Sequence, residues 1–129
     1  MKEIIEVPVV SDTIRRTGVP LSPCVRANGF VFVSGLPGID LSTGKIVSGA
    51  IEAQAEASLL ALKHTLEAAG SSLDKVVKVT VYAANSGHYA AINAVYARFF
   101  ADSPPARTFV AVGSWPMAFD LEIECVALA

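Results

Sequence analysis

Arg107 stands in "SPPARTFVAVG" as the one guanidinium of an otherwise apolar, β-branched run, and Glu122 and Glu124 follow in the terminal "FDLEIECVALA". A guanidinium offers a planar fork of donors matched to a carboxylate, and a nearby Glu can pass a proton or orient a water. Both stretches read as strands. Alternation puts Arg107, Phe109 and Ala111 on one face, Thr108 and Val110 on the other, and gives Glu122 and Glu124 a common face. An antiparallel hairpin closed near Val112 and Phe119 sets Arg107 opposite Glu124, with Glu122 on the diagonal. One sheet face then holds an arginine and two carboxylates. That is either a solvated salt-bridge cluster worth about 0–1 kcal/mol or an anion site, and the pattern leaves both readings open.

The other reactive residue types carry less. "GIDLSTGK" fails the spacing of a phosphate loop and reads as a turn. His64 on a helix and His88 at a helix start lack metal-ligand spacing and read as surface histidines. Ser34 before Gly35 is not in a nucleophile elbow and reads as a strand-end residue. Cys24 and Cys125 stand far apart without CxxC spacing, so reduced thiols are expected and no metal site is indicated.

The elements that must position these groups follow from periodicity. Residues 3–9 and "GFVFVSG" read as strands, with a polar, Pro- and Gly-punctuated surface loop over 11–29 between them and a short strand expected around Ile46 and Val47. Ile51, Ala55, Leu59, Leu62 and Leu66 recur at helical steps, and Gly70 ends that helix. "DKVVKVTVYAAN" reads as a strand. A second helix starts after Asn85 or Ser86, with Tyr89, Ile92, Tyr96 and Phe99 as its apolar stripe, and stops before Pro104 and Pro105. The order describes an α+β layer with two helices on one face of a mixed sheet, in a single domain over residues 1–129.

Composition limits the partners. With 53% hydrophobic and 17% charged residues, a lone chain has few charges to cover its surface, which points to an oligomer. A net charge of -2 gives no general attraction for nucleic acid or anionic membranes. Glu3 and Glu6 interrupt any secretory signal in "MKEIIEVPVV", and no stretch approaches the ~20 apolar residues of a membrane span. A cytoplasmic protein is expected.

Four stretches in order, "FVFVSGLPGIDLSTGKIV", "EAQAEASLLALKHTLEAAGSSLDKVVKVTVY", "YAAINAVYARFF" with "PPART", and "LEIECVA", resemble the Rid (reactive intermediate deaminase) or YjgF family. The resemblance implies a chorismate-mutase-like α+β fold that forms a homotrimer, with the sheets as a central barrel and active sites between subunits. It implies hydrolysis of 2-imino acids and their enamine tautomers, of the 2-aminoacrylate or 2-iminopropanoate type, to 2-oxo acids and ammonia without metal or cofactor. Arg107 would bind the substrate carboxylate and Glu122 would position or activate water. Ser34 and Asn93 fall on family pocket positions, and Thr108 joins the substrate-binding set beside Arg107.

Two positions depart from the family pattern. Active members often carry Cys two residues after the arginine, where this chain has Phe109, and Tyr in a "GPY" segment, where it reads "SPC" with Cys24. Both would line the pocket, and an exchange of aromatic bulk and thiol between them is one expectation. The alternative is that Phe109 closes the site, leaving a trimeric carboxylate-binding or regulatory protein without turnover. The family's older label of endoribonuclease needs an RNA surface. Arg15, Arg16 and Arg26, read as lying in one loop, supply only a solvated face.

Overall fold

The computed structural model describes residues 1–129. Six strands form one sheet: β1 (Glu3–Ile4), β2 (Cys24–Ala27), β3 (Phe30–Leu36), β4 (Val76–Ala83), β5 (Ala106–Ala111) and β6 (Leu121–Leu128). Three helices, α1 (Val10–Thr17), α2 (Ile51–Ala68) and α3 (Tyr89–Phe99), complete an α+β architecture. The strand order is β1-β2-β3-β6-β4-β5, antiparallel except for the parallel pair β4–β5.

Local chemistry explains most of this. Asn28 and Gly29, both at positive φ, make the two-residue turn between β2 and β3, the geometry that matches strand twist. Along α2 the expected stripe Ile51, Ala55, Leu59, Leu62 and Leu66 is buried, and the helix packs on β3, β6 and α3. The Asn85 side chain accepts from the Gly87 amide at 2.7 Å and caps a short 3-10 turn that leads into α3.

Four expectations change. The segment after Pro8 holds α1, because its buried side includes Ser11 and Thr13, whose hydroxyls bond the Val7 amide and the Gly44 carbonyl and so hide the helix from an apolar periodicity. The same segment closes with β2, so it is not a continuous loop. The strand over residues 3–9 shortens to Glu3–Ile4, and Ile46 makes only an isolated bridge with Ile39. Most consequentially, β5 and β6 do not form a hairpin. The unit β4-α3-β5 is a crossover, which makes its strands parallel neighbours, and β4 therefore sits between β5 and β6.

One face of the sheet carries the helices and the core. Val31, Val33, Val79, Val81, Ala83, Leu121, Ile123 and Cys125 are buried there. No helix lies on the opposite face, where Phe32 is exposed and Val25, Tyr82, Val110 and Val126 are half-buried.

Gly38 lets α2 approach the chain after β3. A Cβ there would stand 2.9 Å from the Gln54 carbonyl oxygen and 3.0 Å from the Ala57 Cβ. Gly38→Ala is expected to lower stability by about 1–3 kcal/mol in urea unfolding, as overpacking does, and an unchanged midpoint would contradict this packing.

Candidate functional site

Arg107 is the second residue of the edge strand β5, paired with Val79 and so pointing to the helix side. Its Nη2 donates to Asn93 Oδ1 at 2.6 Å, and its guanidinium lies 4.8 Å from the Tyr96 ring centroid and 5.7 Å from that of Tyr89. Tyr89, Asn93 and Tyr96 follow one another at helical spacing along α3, so one helix stripe supplies all three contacts. Half-buried Arg107 takes part in none of the chain's ion pairs. A cation held by one neutral acceptor and two ring faces keeps the remaining donors of its fork for an anion. Phe109 shares this face and meets Tyr89 edge-on, with ring centroids 4.9 Å apart. The stripe read as core thus divides: Tyr96 is buried with an unpartnered hydroxyl, while Tyr89 is exposed.

Glu122 belongs to the other face. It pairs with Tyr82, and Glu124 pairs with Thr80, so both carboxylates project from the face without helices. The hairpin expectation placed Arg107 and these two on one side, and the insertion of β4 separates them. Glu122 lines a cleft of about 440 Å³ with Gly35, Tyr82, Trp115 and Glu124. A Cβ on Gly35 would lie 3.2 Å from Glu122 Oε1, so glycine makes the space the carboxylate occupies. Burial pushes the Glu122 pKa up, the Glu124 charge adds to this, and the Trp115 indole pulls partly back.

The remaining expected residues scatter. The Ser34 hydroxyl donates to the Ser22 carbonyl at 2.7 Å and its amide to the Pro23 carbonyl at 3.0 Å, tying the 22–23 strap down beside Gly35. Thr108 faces away from Arg107 and accepts from Lys78 Nζ at 2.6 Å. Cys24 is fully buried in the core, with its thiol pushed up to about 11 by burial, and three strands separate β2 from Phe109 on β5. Within one chain Cys24 and Phe109 therefore do not share a space. The chain before the strap presents Val19 and Leu21, which are exposed and line a smaller cleft with Met117, Phe119 and Glu122.

The three arginines are not one loop patch. Arg15 on α1 pairs with Glu6 and Asp12, Arg16 donates to the Gly44 carbonyl, and Arg26 on β2 pairs with Glu3. Gly35, Trp115, Tyr82 and Tyr89 join the two clusters without a motif of their own in the sequence. Only the short "SG" and the helical spacing of Tyr89 to Asn93 carried any signal for them.

The family model described as Endoribonuclease L-PSP matches residues 14–129. The chain is 37% identical over 120 residues to the protein HMF1 of Saccharomyces cerevisiae, covering 93% of this chain and 92% of that protein. It is 37% identical over 108 residues to Reactive Intermediate Deaminase A, chloroplastic, of Arabidopsis thaliana, covering 84% of this chain and 58% of that protein. Among solved structures, E. coli TdcF with bound serine superposes with a TM-score of 0.87 at 32% identity, covering 98% of each chain.

The raised Glu122 pKa fixes the sign of a stability effect. Below the ordinary glutamate pKa the side chain is protonated in both states. As pH rises through the folded value, the folded state resists ionisation and loses stability relative to the unfolded chain. Glu122→Gln is therefore expected to gain stability over wild type at pH 7 compared with pH 4, read from paired urea midpoints. A difference that does not vary with pH would refute the assignment.

Proposed function

The chain belongs to the Endoribonuclease L-PSP family, also known as YjgF or Rid, and we propose that it is a cofactor-independent imine/enamine deaminase. Its substrates are 2-imino acids of the 2-iminopropanoate and 2-aminoacrylate type. The observation that carries this reading is Arg107, a half-buried guanidinium preset by Asn93 and Tyr96 and lacking a carboxylate partner. Binding a substrate carboxylate there would gain about 1.5–3 kcal/mol per charge-assisted hydrogen bond. The serine bound to the related TdcF is also a small carboxylate, in keeping with such a site.

In the proposed reaction, water adds to the C=N carbon, the nitrogen takes up a proton, and the resulting carbinolamine collapses to the 2-oxo acid and ammonia. Glu122 suits the proton work because its burial favours the neutral carboxyl, which can donate to the imine nitrogen and, once ionised, accept from water. Arg107 and Glu122 lie on opposite faces of the sheet, so one chain does not bring both to one small substrate. A homotrimer, with Arg107 of one subunit facing Glu122 of another, resolves this and would cover the half-buried apolar side chains of the open sheet face. The continuous core of each chain supports a single domain over 1–129. Within the same proposal the protein resides in the cytoplasm. It takes no nucleic acid, since Arg15 and Arg26 are neutralised within the chain and Arg16 is bound to a backbone carbonyl. It takes no membrane, since no helix is long and apolar enough to cross one.

A second reading rests on Phe109, which meets edge-on the same Tyr89 ring that Arg107 lies over. It makes the protein a trimeric carboxylate-binding regulator without turnover.

Loss of 2-iminopropanoate and 2-iminobutanoate, generated in situ with semicarbazide as the competing trap, separates the two. Wild type is expected to accelerate hydrolysis. Arg107→Ala is expected to abolish this, and Glu122→Ala to reduce it about 10²–10⁴-fold. Co-assembling the two inactive variants should recover part of the activity, because some mixed sites regain both groups. No recovery from verified mixed assemblies would overturn the shared site. Carboxylate binding that needs Arg107, without turnover, would establish the regulator.

A further inference from the structure

Two polar side chains one turn apart on α2, Gln54 and Ser58, have no exposed surface and sit in the face made by Ile51, Ala55, Leu59 and Leu62. Burying such groups is costly unless they are hydrogen-bonded. Both are bonded, and both to the main chain of strand ends. Gln54 Oε1 accepts from the Asp120 amide at 2.8 Å, while its Nε2 donates to Asp120 Oδ2 at 3.0 Å and to the Gly49 carbonyl at 2.8 Å. The Ser58 hydroxyl donates to the Leu36 carbonyl at 2.7 Å.

These strand ends border Glu122. Asp120 precedes it by two residues at the entry to β6. Leu36 follows Gly35, whose Cα side abuts Glu122 Oε1, and lies where the β3–β6 ladder shifts register between Val33 and Leu36. A strand end at a register shift is weakly held by the ladder itself. The Ser58 bond and the Gly38 contact with α2 hold it from behind instead.

We infer that Gln54 and Ser58 are positioning residues for Glu122, clamping from the rear of the sheet the entry to β6 two residues before it and the end of β3 beside the Gly35 that its carboxylate abuts. This rests on the proposed role of Glu122 and deepens it. Neither side chain touches the cleft. Small displacements of a reacting group cost large factors in rate, so the clamps act on turnover and leave carboxylate binding at Arg107 alone. The titratable groups that face Glu122 are Glu124 on β6 and Tyr82 on β4, with the Trp115 indole beside them, and none belongs to α2.

Thr65 supplies a control. It is also buried on α2, but its hydroxyl bonds the Ala61 carbonyl within the helix. Ser58→Ala, Gln54→Leu and Thr65→Val are made in the full chain, and the Glu122 carboxyl is titrated by carbon NMR. Ser58→Ala and Gln54→Leu are expected to bring the Glu122 pKa down by about half a unit or more as the strand ends admit water, with Thr65→Val unchanged. On 2-iminopropanoate the two clamp variants should lose about 10–100-fold in kcat with KM unchanged. If Gln54→Leu does not fold, the milder Ser58→Ala decides. An unmoved Glu122 in Ser58→Ala, or an equal shift in Thr65→Val, would overturn the inference. Because the titration needs no turnover, clamp variants that shift Glu122 as expected beside a wild type that hydrolyses no imine would refute the deaminase reading and leave the clamps standing.

Discussion

Val79, Val81 and Ala83 on β4 are fully buried because the strand has a neighbour on each side and helices over that face. Whichever strands take those two seats decide where every charged side chain of the sheet points. The α3 crossover brings β5 in as a parallel outer neighbour, and β6 takes the inner side. Arg107 in register with Val79 must then look toward α3, while Glu122 in register with Tyr82 must look away. The separation of the two charges is thus a by-product of seating a central apolar strand.

Arg107 shows how a flexible cation is made ready without being neutralised. Stacking on Tyr96 and donating one bond to Asn93 limits its rotamers, and a neutral partner leaves the guanidinium's charge uncompensated. Tyr96 is used here for its ring face. Its hydroxyl finds no partner, which marks the ring position as constrained by the arginine above it rather than by hydrogen bonding.

What the sequence disclosed follows from where each element draws its stability. α2 and β3 are held by apolar burial, so their periodicity is plain in Ile51 to Leu66 and in "GFVFVSG". α1 is short and buries Ser11 through a bond to the Val7 amide and Thr13 through one to the distant Gly44 carbonyl, so polar residues occupy much of its buried side. The pairing of β5 is non-local as well: consecutive strands often pair, and only the crossover excludes it here. Arg107, Asn93 and Glu122 were legible by type and by family resemblance, but their faces were not. Cys24 was misplaced because "SPC" gives no register. Its pairing with Val33 turns it inward and leaves Leu21 on the surface.

That inward turn has a chemical consequence. Val33 is in register with Cys24 on one side and Cys125 on the other, so the thiols are two strands apart, about 9–10 Å, beyond the reach of a disulfide. Burial pushes them up to about 11 and about 12, which leaves almost no thiolate at neutral pH. Electrophiles and peroxides therefore find almost no thiolate to attack in the folded chain, and reaction at the two cysteines is limited by how often the sheet opens. The rate at which a thiol reagent labels the native protein becomes a clock for that opening, with two reporters placed on either side of the same valine.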